Sequence, residues 1–443
     1  MTMSLFDAMN AAVSGLSGQS DALNSIANNI ANSSGVGYKE TDTQFADMVL
    51  NGGANSAADL AGTQTTDRIE VAQGGQIAST GNATDIAING GGFFVVNTAS
   101  DPTSGQYLLT QAGSFRPDAD GNLMNAAGFY LQGVPLDANG QPVTAGAGSS
   151  LSTLSTVNIA NISGASTPTT SMTFNANLPA GDTAYSTTVP TPSQSSVTYY
   201  DPVGNAQSLT FTFTPTQPAA AGDPATNTWT MQIYDSASAT PTTPVGQATL
   251  VFNGTGANAG ELASVTPAAG AGTYNATAGT FTVTTASGNQ IPIQIGALNS
   301  ATGMTQFAGS YTPTTMQANG SAYGQLTGVN VNSQGQVMAS FSNGTTRAVY
   351  QLELGVVANP DGLAAVSGNA FALSPEAGAP ALYTPGQGPA GTTEGGALEG
   401  SNVDIATQLT NMIATQRAYD SNANVVQSSA QMLQALTQAV TSA

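Results

Sequence analysis

Leu5, Met9, Ala12, Leu16, Gln19, Leu23, Ile26 and Ile30 step along the start of the chain by four, three, four and three residues. Ile405, Leu409, Met412, Gln416, Tyr419, Ala423, Val426, Ala430, Leu433, Thr437 and Val440 keep the same rhythm at the other end. A mostly apolar position every 3.5 residues, sustained this long, predicts helices that meet neighbours along a coiled-coil seam. The sequence between the two segments has a different character. The ends are therefore expected to pair with each other and with the ends of other copies, with the middle hanging off them.

The first helix is predicted over residues 4–32, capped by Ser4 and with Asp7 in its first turn, where negative charge suits the helix dipole. At 1.5 Å per residue it would be ~40 Å long. A coiled coil in water sets Glu and Lys beside its seam. Here Ser, Asn, Gln, Ala and Gly stand there, which suits a helix enclosed on several sides by other helices. The alternative is a helix hairpin inside one globular domain. At the far end Ser401 or Asn402 is the expected cap, with Asp404 in the first turn.

Composition narrows the function. The chain has 443 residues, room for about three domains at ~150 residues each. Only 7% of residues are charged, and 25 acids against 5 bases leave a net charge of -20. Lys39, Arg68, Arg116, Arg347 and Arg417 are scattered, so neither nucleic acid nor an anionic membrane is an expected partner. With no cysteine and no histidine, disulfides, thiolate chemistry, the usual zinc ligands and histidine-based triads are excluded. No spacing singles out a catalytic carboxylate pair, and no enzyme activity or cofactor is expected. Missing cysteine is either chance or the mark of a chain exported unfolded. No apolar run is long enough to span a bilayer, and the N-terminus lacks the basic and apolar regions of a cleavable signal.

Between the ends the period changes to two. Asn32 to Lys39, with Gly35 and Gly37, breaks the first helix, and residues 33–70 are expected to form an extended or hairpin-like connector. Asp85 to Val96 reads as strand, Asn89-Gly90 turn, strand. Gly90-Gly91-Gly92 enters Phe93-Phe94-Val95-Val96, a strand, so a phosphate-binding loop is not indicated. Asp118-Ala119-Asp120-Gly121-Asn122 resembles part of a calcium loop but lacks its distal glutamate. Its shape recurs at Asp137 to Gln141 and Asn332 to Gln336, which predicts repeated tight turns in β-rich domains. Leu209, Phe211 and Phe213 alternate with Thr210, Thr212 and Thr214, so one face of that strand is expected to be buried. Trp229, the single tryptophan, is expected in the same core. Residues 386–401, with Pro389 and several glycines and with Pro385 just before them, are expected to be a linker.

Several motifs carry a resemblance. Ala12-Val13-Ser14-Gly15-Leu16, Asn28-Asn29-Ile30-Ala31-Asn32 and Gly37-Tyr38-Lys39 resemble the opening motif of the bacterial flagellar rod and hook axial proteins. Glu399-Gly400-Ser401-Asn402-Val403-Asp404 and Gln416-Arg417-Ala418-Tyr419 resemble that family's closing motif. Thr80-Gly81-Asn82, Gly113-Ser114-Phe115 and Leu131-Gln132-Gly133 resemble its inner β segments. Thr305-Gln306-Phe307-Ala308-Gly309 and Phe341-Ser342-Asn343-Gly344 resemble its hook members, as does the long central insertion.

The resemblance implies a multidomain α+β fold. A terminal α-helical coiled-coil core domain (1–32 with 402–443) would be joined by a connector (33–70) to nested all-β domains. These are an inner β-domain (71–145 with 320–385) and an inserted outer β-domain (146–319). It implies a structural subunit that polymerises into a curved tube and transmits motor torque as a universal joint. A distal rod or other axial protein is the alternative, and an external β-rich adhesin with oligomerising ends a further one. The implied partners are further copies of the chain, rod proteins, hook cap and hook–filament junction proteins, and the flagellar export apparatus. Export would use the flagellar type III pathway and keep the N-terminus. The candidate assembly residues are Leu5, Met9, Ala12, Leu16, Leu23, Ile26, Ile30, Ile405, Leu409, Met412, Gln416, Tyr419, Val426, Leu433 and Val440. The ends are expected to order only on assembly.

Overall fold

The computed structural model describes residues 5–50, 59–143 and 150–441. Among the described residues two α-helices lie near the ends, α1 (Leu5–Ala31) and α2 (Ile405–Thr441), and the elements between them are mostly β-strands. The chain divides into two units. Unit 1 comprises Met1–Ile162, Thr327–Ser340 and Thr346–Ala443, and unit 2 comprises Ser163–Leu326 and Phe341–Thr345.

In unit 1, α1 and α2 are antiparallel. Gly15 faces Asn422, and Asn29 reaches Gln408, so advancing along one helix means retreating along the other. Close approach depends on small residues, since a Cβ on Gly15 would lie 2.7 Å from the Asn422 amide. The start of α2 departs from expectation. Asp404, rather than Ser401 or Asn402, caps it, its Oδ1 accepting the backbone N–H groups of Ala406 (2.8 Å) and Thr407 (3.2 Å). Asn402 is engaged elsewhere. The expected cap Ser4 lies outside the described residues.

The connector is a regular antiparallel hairpin of β1 (Thr41–Leu50) and β2 (Asp59–Ile69), whose loop lies outside the described residues. α1 packs its small polar face on it. Ser14 accepts the Thr63 N–H at 3.1 Å, Thr65 donates to Asp21 at 2.9 Å, and Thr43 donates to Ser25 at 3.0 Å. Gly18 lies beneath the Phe45 ring.

Beyond the hairpin come β3 (Ile77–Ser79), β4 (Ile86–Asn89) and β5 (Phe93–Asn97). The expected Asn89-Gly90 hairpin does not form. β4 pairs with Thr392–Gly395, while β5 pairs with Tyr107–Thr110, Tyr130–Pro135 and Leu354–Val356. Gly90 and Gly92 have φ of 117° and 118°, a region that only glycine occupies readily, and the run redirects the chain between sheets instead of folding it back. The expected linker is also structured: Thr392–Gly395 and Ala397–Glu399 are strands, the latter paired with β3. Their partners stand some three hundred positions earlier, so local composition could not reveal them. The glycines permit close packing, as at Gly395, where a Cβ would collide with the Val331 carbonyl.

The main sheet of unit 1 has thirteen strands. Its core includes Phe93, Val95, Leu109, Val134, Val357 and Phe371, with Phe94 and Phe115 edge to face at 5.9 Å. Leu154 and Val157 are buried as well, so unit 1 runs on to Ile162, past the edge at 145 that composition suggested.

Unit 2 closes around its own core. A five-stranded antiparallel sheet (Ser193–Tyr200, Ala206–Thr216, Thr228–Asp235, Gly246–Phe252, Leu262–Pro267) faces a six-stranded sheet built on Met172–Pro179. Phe174 stacks on Phe211 at 4.1 Å between the sheets, and Trp229, Met231 and Ile233 fill the space beside them. Leu209, Phe211 and Phe213 all point inward.

The recurrent turns share one mechanism. The Oδ1 atoms of Asp118, Asp137 and Asn332 each accept the N–H groups two and four residues ahead, at 2.8–3.0 Å. Asp201 and Asn125 repeat the pattern. A glycine at positive φ completes each turn, so the oxygen that would face an ion is committed to the backbone.

Candidate assembly site at the chain ends

The two helices converge on a buried polar cluster in unit 1. Lys39 follows Gly37, whose φ of 63° brings the chain against Gln111 and Ala112. The Lys39 Nζ donates to Glu399 Oε1 and to the Gln73 carbonyl, both at 2.7 Å. The two side chains are 1% and 3% exposed. Glu399 Oε1 also accepts the Gly75 N–H at 2.8 Å. A buried charge is tolerable only when it is paired and hydrogen-bonded, and both conditions hold.

Around this pair the amide side chains close further links. Asn402 accepts the Glu40 N–H at 2.7 Å and donates to the Glu70 carbonyl at 3.2 Å. Asn29 bonds both backbone groups of Thr41, at 2.9 and 3.0 Å, and donates to Gln408 at 3.3 Å. Tyr38 donates to Asn29 at 3.1 Å, and Gln408 donates to Glu40 at 2.6 Å. Burial raises the Glu40 carboxyl above its ordinary range; the Gln408 hydrogen bond opposes this, and nearby Asp42, Glu70 and Asp404 reinforce it. The end of α1, the start of α2 and the base of the β1–β2 hairpin thus meet at one point.

A second charged link secures the β layer. Asp85, buried, accepts from Arg116 (2.6 Å), Thr80 (2.7 Å) and Asn82 (3.1 Å). Burial pushes its pKa up, but these hydrogen bonds and the Arg116 charge outweigh burial and hold it below the usual carboxylate value.

The candidate assembly residues divide between packed and open faces. On α1, Ala12 and Ile26 are buried, and Met9, Leu16, Leu23 and Ile30 are half-buried. On α2, Met412, Val426 and Leu433 are half-buried on the row occupied by buried Gln408 and Ser429. Gln416 and Tyr419 are exposed. Ile405 and Leu409 are each 48% exposed, and Ile413, which extends their i, i+4 row, is 52% exposed. The side chains of Leu5 and Val440 lie outside the described residues. The α2 row facing α1 is therefore rotated from the apolar stripe read in the sequence. Within a single chain α2 has one partner helix, which covers part of its circumference and leaves an apolar row open.

Sequence reasoning did not assign Lys39, Glu399, Asn29 and Gln408 a structural part, and it gave Asn402 only that of a helix cap. The available signal was a lone lysine two residues after a glycine in a chain almost without bases, together with a glutamate just before the last helix.

Four family models match along the chain. They are a flagella basal body rod protein model (residues 9–39), the flagellar hook protein FlgE/F/G D1 domain (87–177), the flagellar basal body protein FlaE D2 domain (175–321) and the flagellar basal body rod FlgEFG protein C-terminal model (394–439). Among full-length relatives, the flagellar hook protein FlgE of Rhizobium meliloti is 35% identical over 98% of this chain and 99% of its own. That of Brucella abortus is 34% identical over 98% and 99%. That of Salmonella typhimurium is 32% identical over 96% and 98%. Both terminal helices, the cluster that joins them and the central β unit fall inside these matches, and the chain belongs to the flagellar hook protein family.

Proposed function

We propose that this chain is a structural subunit of the bacterial flagellar hook, polymerising into a curved, flexible tube that carries motor torque from rod to filament. The observation that carries the reading is similarity over nearly the whole length to proteins named as hook subunits, the central β unit included. Rod proteins share the terminal models, so the ends alone would not separate hook from rod.

The assembly interface in this reading is the set of helical residues from Leu5 to Ile30 and from Ile405 to Val440 named above. The open row of Ile405, Leu409 and Ile413 supports it, because an exposed apolar row of this kind on a helix is best covered by another helix. Repeated head-to-tail contacts that do not close a ring build a helical tube. The helices form the inner core, the hairpin the connector, and the β layers an inner and an inserted outer domain. Inner helices resist twist, and outer Thr-, Ser- and Asn-rich faces exchange hydrogen bonds worth about 0.5–1.5 kcal/mol each as the tube bends. The helical ends gain their remaining partners on assembly. Rod proteins lie at one end, the cap and junction proteins at the other, and the flagellar export apparatus delivers the chain outside the cell. Electron microscopy of the purified, concentrated protein tests the reading: curved tubes are expected, whereas straight tubes would favour a rod subunit and no polymer would reject both.

A further inference from the structure

We infer that the Lys39–Glu399 pair, with Asn29, Asn402 and Gln408, is a clasp that fixes the direction of both terminal helices, and that torque passes from the helices to the β layers through it. The inference rests on the hook reading and adds positioning residues to it.

Only two covalent links join the helices to the rest of unit 1. Residues 32–40 follow α1, and residues 400–404 precede α2. Both contain glycine, and free peptide of this kind would swivel under load. Here the links lie side by side. The Gly37 N–H donates to the Glu399 carbonyl at 2.8 Å, and the Asn402 N–H donates to the Tyr38 carbonyl at 3.4 Å.

The side chains then tie both links to a third segment. Lys39 Nζ reaches Gln73, Glu399 reaches Gly75, and Asn402 reaches Glu70. At its helical end the cluster holds both helices, Asn29 belonging to α1 and Gln408 to α2. Hydrogen bonds and a buried ion pair are directional, whereas apolar contacts slide. A cluster of this composition, placed where two helices leave a sheet, resists rotation more than an equal volume of leucine would. Its residues also explain why two motifs at opposite ends of the sequence have the form they do: each supplies half of one cluster.

The test uses the full chain expressed in a bacterium lacking its hook gene. Lys39→Met/Glu399→Gln removes both charges at nearly constant volume, keeps an acceptor for the Gly75 N–H, and avoids the unpaired buried charge that either substitution alone would leave. Hooks are expected to form, melting of the free chain is expected to stay close to the parent, and torsional compliance of the hook, read from a bead tethered to a locked motor, is expected to rise above that of the parent. Unchanged compliance in these hooks would overturn the inference, since a purely stabilising pair would leave compliance tied to melting. Should the double variant form no hooks, Asn402→Ala, which deletes uncharged links of the same clasp, is read by the same compliance criterion. The unaltered chain is the control for function. If it restores no hooks, the hook reading falls and the torque path with it, whereas restored hooks with an unaffected variant remove the clasp alone.

Discussion

Unit 2 and the helical pair of unit 1 solve the burial problem in opposite ways. In unit 2 the large apolar side chains of two sheets meet each other, and Phe174, Phe211, Phe213 and Trp229 are fully buried within one chain. In the helical pair, small residues mediate the contact, polar side chains anchor it, and the larger apolar residues of α2 remain open. One region is complete alone. The other leaves an apolar row of α2 exposed. In the hook reading proposed above, this asymmetry suits a polymer rigid at its axis and yielding at its rim, because material left unburied in the free subunit is what subunits would share when assembled.

The contrast is broken most forcefully from the closed side. Phe211→Ala removes a ring stacked on Phe174 and leaves a cavity between two sheets, and should destabilise unit 2 by about 3–5 kcal/mol. Calorimetry should show an early-melting transition for unit 2 while the helical circular dichroism signal at lower temperature persists. Loss of both together would show that the two regions are not independent.

How much of this was legible in the sequence follows the same division. Alternation of Leu209, Phe211 and Phe213 with threonines declared a half-buried strand because both the pattern and its partners are local: that strand pairs with its immediate neighbours in the chain. The four-and-three stepping of the ends declared helices for the same reason. The direction each helix faces was not legible. Gly15 and Gly18 set how closely α1 approaches its neighbours, and glycines contribute nothing to an apolar stripe. The strands at 392–399 were hidden because β3 and β4, their partners, are far away in sequence. The edge of unit 1 was hidden because Leu154 and Val157 stand among threonines and serines. Lys39 and Glu399 were visible as letters of two motifs, but their pairing across 360 positions needed the fold.

Acid and base chemistry sharpen the comparison within unit 1. Glu353 is buried beside Thr384, and burial raises its carboxyl to about 7, the Thr384 hydrogen bond opposing this only in part. A raised folded-state value means that the neutral form fits the site. Stability should be full below the unfolded carboxylate value and decline as pH rises toward and through 7. Glu353→Gln keeps the acceptor for Thr384 and removes the charge. It should stabilise unit 1 by on the order of 1–3 kcal/mol at pH 8 and change little at pH 4. A pH-independent difference would refute the assignment.

Asp85 has the opposite sign. Its folded value is depressed, so its contribution is present above the ordinary carboxylate range and is lost as pH falls through the folded value. Asp85→Asn should cost about 1.5–3 kcal/mol at pH 7, through weaker bonds to Arg116, Thr80 and Asn82, and the difference from the parent should shrink in acid. Chemical denaturation at pH 7 and pH 3 reads both limits. An undiminished difference at pH 3 would mean that the carboxylate charge is not what binds Arg116.

The smallest expected effect on the free chain separates the two regions most clearly. Leu409 lies on α2 with nearly half its surface open. Leu409→Asp is a surface substitution there and should shift the stability of the monomer by no more than about 0.5 kcal/mol. In the polymer the same carboxylate would be driven into an apolar helix–helix contact and desolvated, with Arg417, two turns further along the same face of α2, the base nearest to it in the helix. Polymerisation followed by sedimentation should therefore fail while the melting curve of the monomer stays unchanged. If Leu409→Asp still sediments as tubes, the open row of α2 faces the channel or solvent, and the subunits are joined by the faces of α1.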